Sequence, residues 1–175
     1  SYKEWADYDI AKWKELGAKK ADLVDAVKGL SLFPGALETI DTLKKRGMKI
    51  AIISGSLSIV LDVILPHYRK LFDEVYIPIL EFKDDGTIGD IFIPEFAFHD
   101  KTHALLEICE KLDITPDETA FIGDHENDIE VLRRAGMGIA FNSKLDSVKE
   151  AADRIVNIPD LRAILPHVLK KKRGV

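Results

Sequence analysis

The stretch FIGDHENDIE, residues 121–130, sets four carboxylates, Asp124, Glu126, Asp128 and Glu130, directly after a short apolar run. Carboxylates crowded in this way repel one another unless a cation or a proton lies among them. Asp124 follows a glycine at the end of the apolar run, and its oxygens suit a hard divalent ion such as Mg²⁺. Asp128 comes four residues later, where an acidic side chain can also stabilise a helix start. Two other places could receive an anion. Ser54-Gly55-Ser56 joins an apolar run to a helical pattern, so that backbone N–H groups and a hydroxyl converge on a phosphate-sized site, unless the serine merely caps the helix. Lys101 stands at a helix start beside His99 and His103. A cation there is opposed by the positive helix end unless an anion binds nearby, or it simply reaches into water.

These residues can act together only if the elements that carry them meet. Residues 2–29 predict two helices, with Trp5, Ile10, Trp13 and Leu16 and then Leu23, Val24 and Val27 at helical spacing and Gly17 between them. A helix opened by Pro34 and stopped by Gly47 follows. The almost wholly apolar run 48–53 predicts a strand buried on both faces, and 56–72 a further helix. Two β-rich runs flank Asp84-Asp85-Gly86 as a hairpin turn. Downstream the pattern predicts helix 101–112, strand 118–124, helix 127–135, strand 136–141, helix 145–151, strand 154–158 and a last helix 160–170 that Pro166 bends or shortens. Strands alternating with helices give a three-layer α/β fold with a largely parallel sheet, whose ligands collect at the carboxyl ends of the strands.

Composition narrows the class. The chain has 175 residues, enough for one domain or a domain with a small insertion, and is 46% hydrophobic and 31% charged, as globular proteins are. A net charge of −5 argues against electrostatic binding of nucleic acid. Cys109 stands alone, so no internal disulfide or thiolate metal cluster is expected, and a cytoplasmic setting fits. No run approaches the ~18 apolar residues of a membrane span, and SYKEWADYD does not read as a signal peptide. The basic end LKKKRGV reads as solvated charge on a last helix.

Taken in order, the strand–serine, helix–lysine and strand–Gly-Asp-x-x-Asn-Asp signals resemble the haloacid dehalogenase (HAD) superfamily, specifically its phosphoserine-phosphatase-like branch. PGALETIDTLKKRGMKIAIISGS resembles that branch's second motif and the helix before it. FKDDGTIGD resembles its hairpin, DKTHALLEIC its lysine motif, and GDHENDIEVLRRAGMGIAF its acidic motif. The resemblance implies a Rossmann-like core over residues 31–175, with a β-hairpin, and a partial helical cap over residues 1–30. It also implies roles. Ser54 hydrogen-bonds a phosphoryl oxygen and Gly55 offers a backbone N–H. Lys101 neutralises charge on the phosphoryl group. Asp124 ligates Mg²⁺. Asn127 touches the phosphate or orients its neighbours, and Asp128 holds a metal-bound water or Lys101. This is positioning plus charge neutralisation, the expected division of labour in phosphoryl transfer.

The family's first motif, an apolar strand ending in Asp-x-Asp, has no match in these residues. Its first aspartate is the nucleophile that forms an aspartyl-phosphate, and the second is the general acid and base. Asp7-Tyr8-Asp9 has the spacing but sits in a helical pattern. Asp100-Lys101-Thr102 is similar to the phosphorylated triplet of P-type pumps, but it follows Ser54 where the pumps' triplet precedes the equivalent residue. Asp100 reads instead as a helix cap. The chain therefore reads as a phosphatase whose first strand is absent. The expectations are weak Mg²⁺ binding through Asp124 alone, no covalent intermediate, and two unpaired inner sheet edges.

The implied substrate is a small phosphorylated metabolite, with no nucleic acid or membrane partner and a homodimer allowed. In true phosphoserine phosphatases a cap arginine receives the substrate carboxylate, but here no arginine precedes Arg46. Lys12 or Lys14 could substitute without the bidentate fork, and Trp5 and Trp13 either line an apolar cap pocket or pack between helices. The alternative reading is a non-catalytic phosphate-binding module. His125 has no assigned role.

Overall fold

The computed structural model of the chain describes residues 2–94 and 101–170. Its helices are α1 (Tyr2–Glu15), α2 (Lys20–Val27), α3 (Ala36–Lys45), α4 (Ser58–Ile64), α5 (Lys101–Leu112), α6 (Ile129–Arg134), α7 (Asp146–Ala151) and α8 (Leu165–Val168). Its strands are β1 (Ala51–Ile53), β2 (Glu74–Tyr76), β3 (Ile79–Phe82), β4 (Ile88–Phe92), β5 (Ala120–Gly123), β6 (Met137–Phe141) and β7 (Arg154–Val156). The fold is α/β, and it divides into two compact units, Ser1–Leu32 with Ala51–His99 and Phe33–Ile50 with Asp100–Val175.

In the first unit Gly17, at φ 69°, separates α1 from α2 as its position implied. Asp7, Tyr8 and Asp9 all lie within α1, so their spacing is a helical one. β1 pairs with β2 in parallel, Ala51 opposite Glu74 and Ile53 opposite Tyr76. The strand expected over 48–53 is thus only three residues long. Its residues are exposed or half-buried rather than covered on both faces, because β2 is its only partner among the described residues. Strand length is set by the partner, and β2 offers three residues.

The helix expected over 56–72 is also shorter. α4 opens at Ser58, and Pro66, which has no N–H to give, follows its end. His67 at φ 66° then leads into a 3₁₀ turn, Tyr68–Lys70. The first β-rich run splits. Glu74–Tyr76 joins β1, and only β3 forms the antiparallel hairpin with β4. Asp85 closes that hairpin by accepting bonds from the Thr87 N–H at 2.9 Å and hydroxyl at 2.6 Å, with Gly86 at φ 81°. Trp13 packs with Ile10, Leu80 and Ile88 in the core of this unit, so it is a packing residue; the Trp5 side chain lies outside the described residues.

In the second unit β5, β6 and β7 form a parallel sheet in that order. Ile139, Phe141, Val156 and Ile164 make one core cluster, and Leu132, Ala140 and Val148 make another. Within the unit β5 is bonded to β6 and to no other described strand. α3 is bounded by Gly35 at φ 74° and Gly47 at φ 76°, matching the Pro-Gly start and glycine stop. The last helix is broken into a 3₁₀ turn, Leu161–Ile164, and α8, with Pro166 in the first turn of α8.

Candidate phosphate and metal site

The acidic knot is built at the end of β5, where the sheet ladder stops at Gly123 and the chain must turn. The turn is a 3₁₀ segment, Glu126–Asp128, rather than the α-helical start expected at 127. Asp128 makes it possible. Its Oδ2 accepts the N–H of Asp124 at 2.9 Å and of His125 at 3.1 Å, satisfying two amides that the strand leaves unpaired. Gly123 leaves room for this, since a Cβ there would stand 2.7 Å from the Asp128 Cβ, Cγ and Oδ2.

The other oxygen of Asp128 faces α5. Lys101, the first residue of that helix, donates from Nζ to Asp128 Oδ1 at 2.5 Å, and the two side chains are 9% and 3% exposed. The anion that a lysine at a helix start requires is therefore Asp128. The two readings of Asp128, cap and lysine partner, are both realised, one by each oxygen. An ammonium has three donors, and Asp128 uses one, so Lys101 keeps donors for a second anion.

The other members of the stretch point elsewhere. Asp124, Glu126 and Asn127 are exposed, and the Asp124 carboxylate and Asn127 amide make no hydrogen bond or ion pair to another described residue. Glu130 pairs with Arg133 at 2.8 Å on the surface. Asp124 is fixed by its backbone instead. Its carbonyl accepts the hydroxyl of buried Ser143 at 2.7 Å, and that hydroxyl accepts the Leu145 N–H at 3.2 Å. Nothing in the sequence reading singled out Ser143; its only mark is a small polar residue just past the end of β6. Phe33 and Phe141, which line a cavity with Asp124, carry no sequence signal either, because aromatic residues in a loop and a strand look like ordinary core.

Among the described residues no group of three or more His, Cys, Asp or Glu side chains could hold a metal ion. Mg²⁺ nevertheless commonly keeps several waters and takes one or two carboxylates plus phosphate oxygens. Asp124, exposed and without a partner, fits as one such carboxylate.

Ser54 and Gly55 belong to the first unit. The Ser54 N–H continues the β1–β2 ladder to Tyr76 O at 2.9 Å, and its hydroxyl accepts the Ser56 N–H at 3.1 Å. Both residues are half-buried between β1 and α4, so Ser54 is not the cap of that helix; Leu57 is. His99 and Asp100 lie outside the described residues. No described helix is long and apolar enough to cross a membrane.

Residues 4–136 match the family model of haloacid dehalogenase-like hydrolases. The phosphoserine phosphatase of Methanocaldococcus jannaschii is 33% identical over 91% of this chain and 73% of its own length. Phosphoserine phosphatase SerB2 of Mycobacterium tuberculosis is 33% identical over 81% of this chain, which spans about a third of that relative, 34%. Among solved structures, a phospho-aspartyl intermediate analogue of phosphoserine phosphatase superposes with a TM-score of 0.73 at 33% identity, covering 86% of this chain and 70% of that one. The family match runs through Ser54, Lys101 and Asp128 alike, and the relative from Methanocaldococcus is covered over most of its length. The chain belongs to the haloacid dehalogenase-like hydrolases.

Proposed function

We propose that this chain carries the phosphate- and metal-binding residues of a Mg²⁺-dependent phosphomonoesterase of the phosphoserine-phosphatase-like branch, acting on a small phosphorylated metabolite. One observation carries the reading. Asp128 is fully engaged by Lys101 and two backbone amides, while Asp124, four residues away, presents a carboxylate with no partner among the described residues. That is the division needed to hold a phosphate beside a metal, with one anion to fix the cation and another left for the ion.

In this proposal Lys101 directs its remaining donors at the phosphoryl oxygens, and Asp128 keeps it oriented. Mg²⁺, when bound at Asp124, supplies neutralisation of the phosphoryl charge. Asn127, exposed three residues on, touches the phosphate. Ser54 and Gly55 supply a hydroxyl and an N–H by their match to the family's second motif. Residues 1–30 form part of a cap, and the single buried thiol suits a cytoplasmic enzyme. The nucleophile is an aspartate of an Asp-x-Asp strand that the 175 residues do not contain. The chain by itself is therefore inactive.

The test is Mg²⁺-dependent hydrolysis of a generic aryl phosphate. The 175 residues should show none, and a protein in which an apolar strand ending in Asp-x-Asp precedes them should turn over. Brisk hydrolysis by the 175 residues alone would sink the missing-nucleophile reading, and failure of the extended protein would favour the non-catalytic phosphate-binding reading. Substrate preference is also open to test. The matched relatives bear the name phosphoserine phosphatase, yet no arginine precedes Arg46 here to clamp a carboxylate. A panel of phosphomonoesters on the extended protein should show no strong preference for phosphoserine.

A further inference from the structure

At the carboxyl ends of β5 and β6 lies a cavity of about 160 Å³, lined by Phe33, Ile122, Gly123, Asp124, Phe141 and Asn142. Asp124 and Asn142 supply polar lining, and Phe33, Ile122 and Phe141 supply the apolar part. The Phe33 ring stands edge-on to that of Phe141, with centroids 5.2 Å apart and planes at 89°. Phe141 is buried in the core, but Phe33 is 46% exposed. A half-exposed phenylalanine in a loop gains only part of the burial free energy open to it, so its place needs another cause.

That cause is a clamp from the far end of the unit. Gly35 has φ 74°, and a Cβ there would meet Asp160 Oδ1 at 2.5 Å and Arg162 Cγ at 2.6 Å. The Leu161 N–H donates to Pro34 O at 2.8 Å. Arg162 Nε donates to Asp160 Oδ1 at 3.0 Å and its Nη2 to Oδ2 at 2.5 Å, while Nη1 lies 3.7 Å from Glu38 in the first turn of α3. The two residues that follow Phe33 are thus gripped by the turn after β7, and the ring has little choice but to face Phe141.

We propose that Phe33 and Phe141 form the apolar wall against which the organic group of the substrate rests, and that Gly35, Asp160 and Arg162 are positioning residues for that wall. The proposal rests on the phosphomonoesterase reading above, because it places the phosphoryl end at Asp124. A cavity of about 150 Å³ can hold benzene, so this one admits a group the size of a single ring or a short branched alkyl chain. The favoured class is then a phosphomonoester of an uncharged aromatic or branched alcohol.

The experiment compares phenyl phosphate with glycerol phosphate on the full-length protein that contains these residues. Phe33→Ala should raise KM for phenyl phosphate roughly threefold to tenfold with kcat nearly unchanged, and leave glycerol phosphate within about twofold. Phe33→Leu should recover part of the loss. Arg162→Gln and Gly35→Ala should show the same selective rise in KM, and Arg162→Lys should recover part of the first. A uniform loss on both esters, or an unchanged KM for phenyl phosphate, overturns the wall. If the wild-type protein hydrolyses no ester, the phosphatase reading fails on its own. The wall is then judged by NMR with phenylphosphonate against methylphosphonate: ring shifts at Phe33 and Phe141 with the phenyl compound only support it, and none refute it.

Discussion

Lys101 Nζ and Asp128 Oδ1 meet at 2.5 Å across 27 residues of sequence, both side chains are buried, and the second oxygen of Asp128 closes the turn that presents Asp124. One carboxylate thereby joins the lysine motif to the acidic motif. Breaking a buried pair leaves an uncompensated charge, which costs about 3–5 kcal/mol. Asp128→Ala should lose an amount of this order in urea unfolding. Lys101→Met should lose less, because Asp128 keeps its two N–H donors. Equal losses, or a loss below about 1 kcal/mol for Asp128→Ala, would contradict the arrangement.

Gly123 is fixed by the same carboxylate rather than by its own backbone. A methyl group there needs the space that Asp128 occupies. Gly123→Ala should cost about 1–3 kcal/mol, as overpacking does, and should shift the amide resonances of Asp124 and His125. A variant with wild-type stability and spectrum would show that Asp128 can move away freely.

Asp124 should behave in the opposite way. It is exposed and its side chain holds nothing together, so Asp124→Asn should change stability by no more than about 0.5 kcal/mol. With Mn²⁺ as a paramagnetic probe, the wild type should lose amide signals around residues 123–128, and the variant should keep them at the same metal concentration. Equal broadening in both would remove Asp124 from the metal site.

Three surface carboxyls should make the chain acid-sensitive. The Arg162 guanidinium holds Asp160 below the usual carboxylate range, the Lys149 ammonium does the same for Asp146, and the Thr87 hydroxyl and then its N–H do so for Asp85. Each folded-state pKa lies below the unfolded one, so the stabilisation is present above about pH 4 and is lost as pH falls through the folded values. The urea midpoint should fall between pH 6 and pH 3, and Asp160→Asn should lessen that fall. No change in the pH dependence on that substitution would mean the Arg162 pair contributes nothing.

Cys109 is 3% exposed, and burial pushes its thiol above the ordinary cysteine value. Attack needs the thiolate at the surface. Ellman's reagent at pH 8 should therefore react far more slowly with the folded chain than with the chain in urea. A rapid native reaction would show that α5 opens readily.

The elements came out of the sequence unevenly. The two helices within 2–29, α3 between its glycines and α5 over Lys101–Leu112 were legible, because helical hydrogen bonds and the 3.6-residue period are local. The sequence pattern makes β1 too long and places Glu74–Tyr76 in the hairpin instead of against β1, because a strand's extent belongs to its partner, and β1's partner lies over twenty residues along the chain. The 3₁₀ turn at Glu126–Asp128 looked helical because its residues suit either.

The candidate site divides along the same line. By itself the sequence determined which groups are available, the serine, the lysine and the aspartates in their order, because residue type and spacing carry chemistry and family membership directly. Only the tertiary structure decided what each holds. It gave Asp128 to Lys101 and two amides, left the Asp124 carboxylate without a partner among the described residues, tied the Asp124 carbonyl to Ser143, and set the Phe33 ring edge-on to Phe141. Those assignments depend on distances between residues far apart in sequence, and no local pattern encodes a distance.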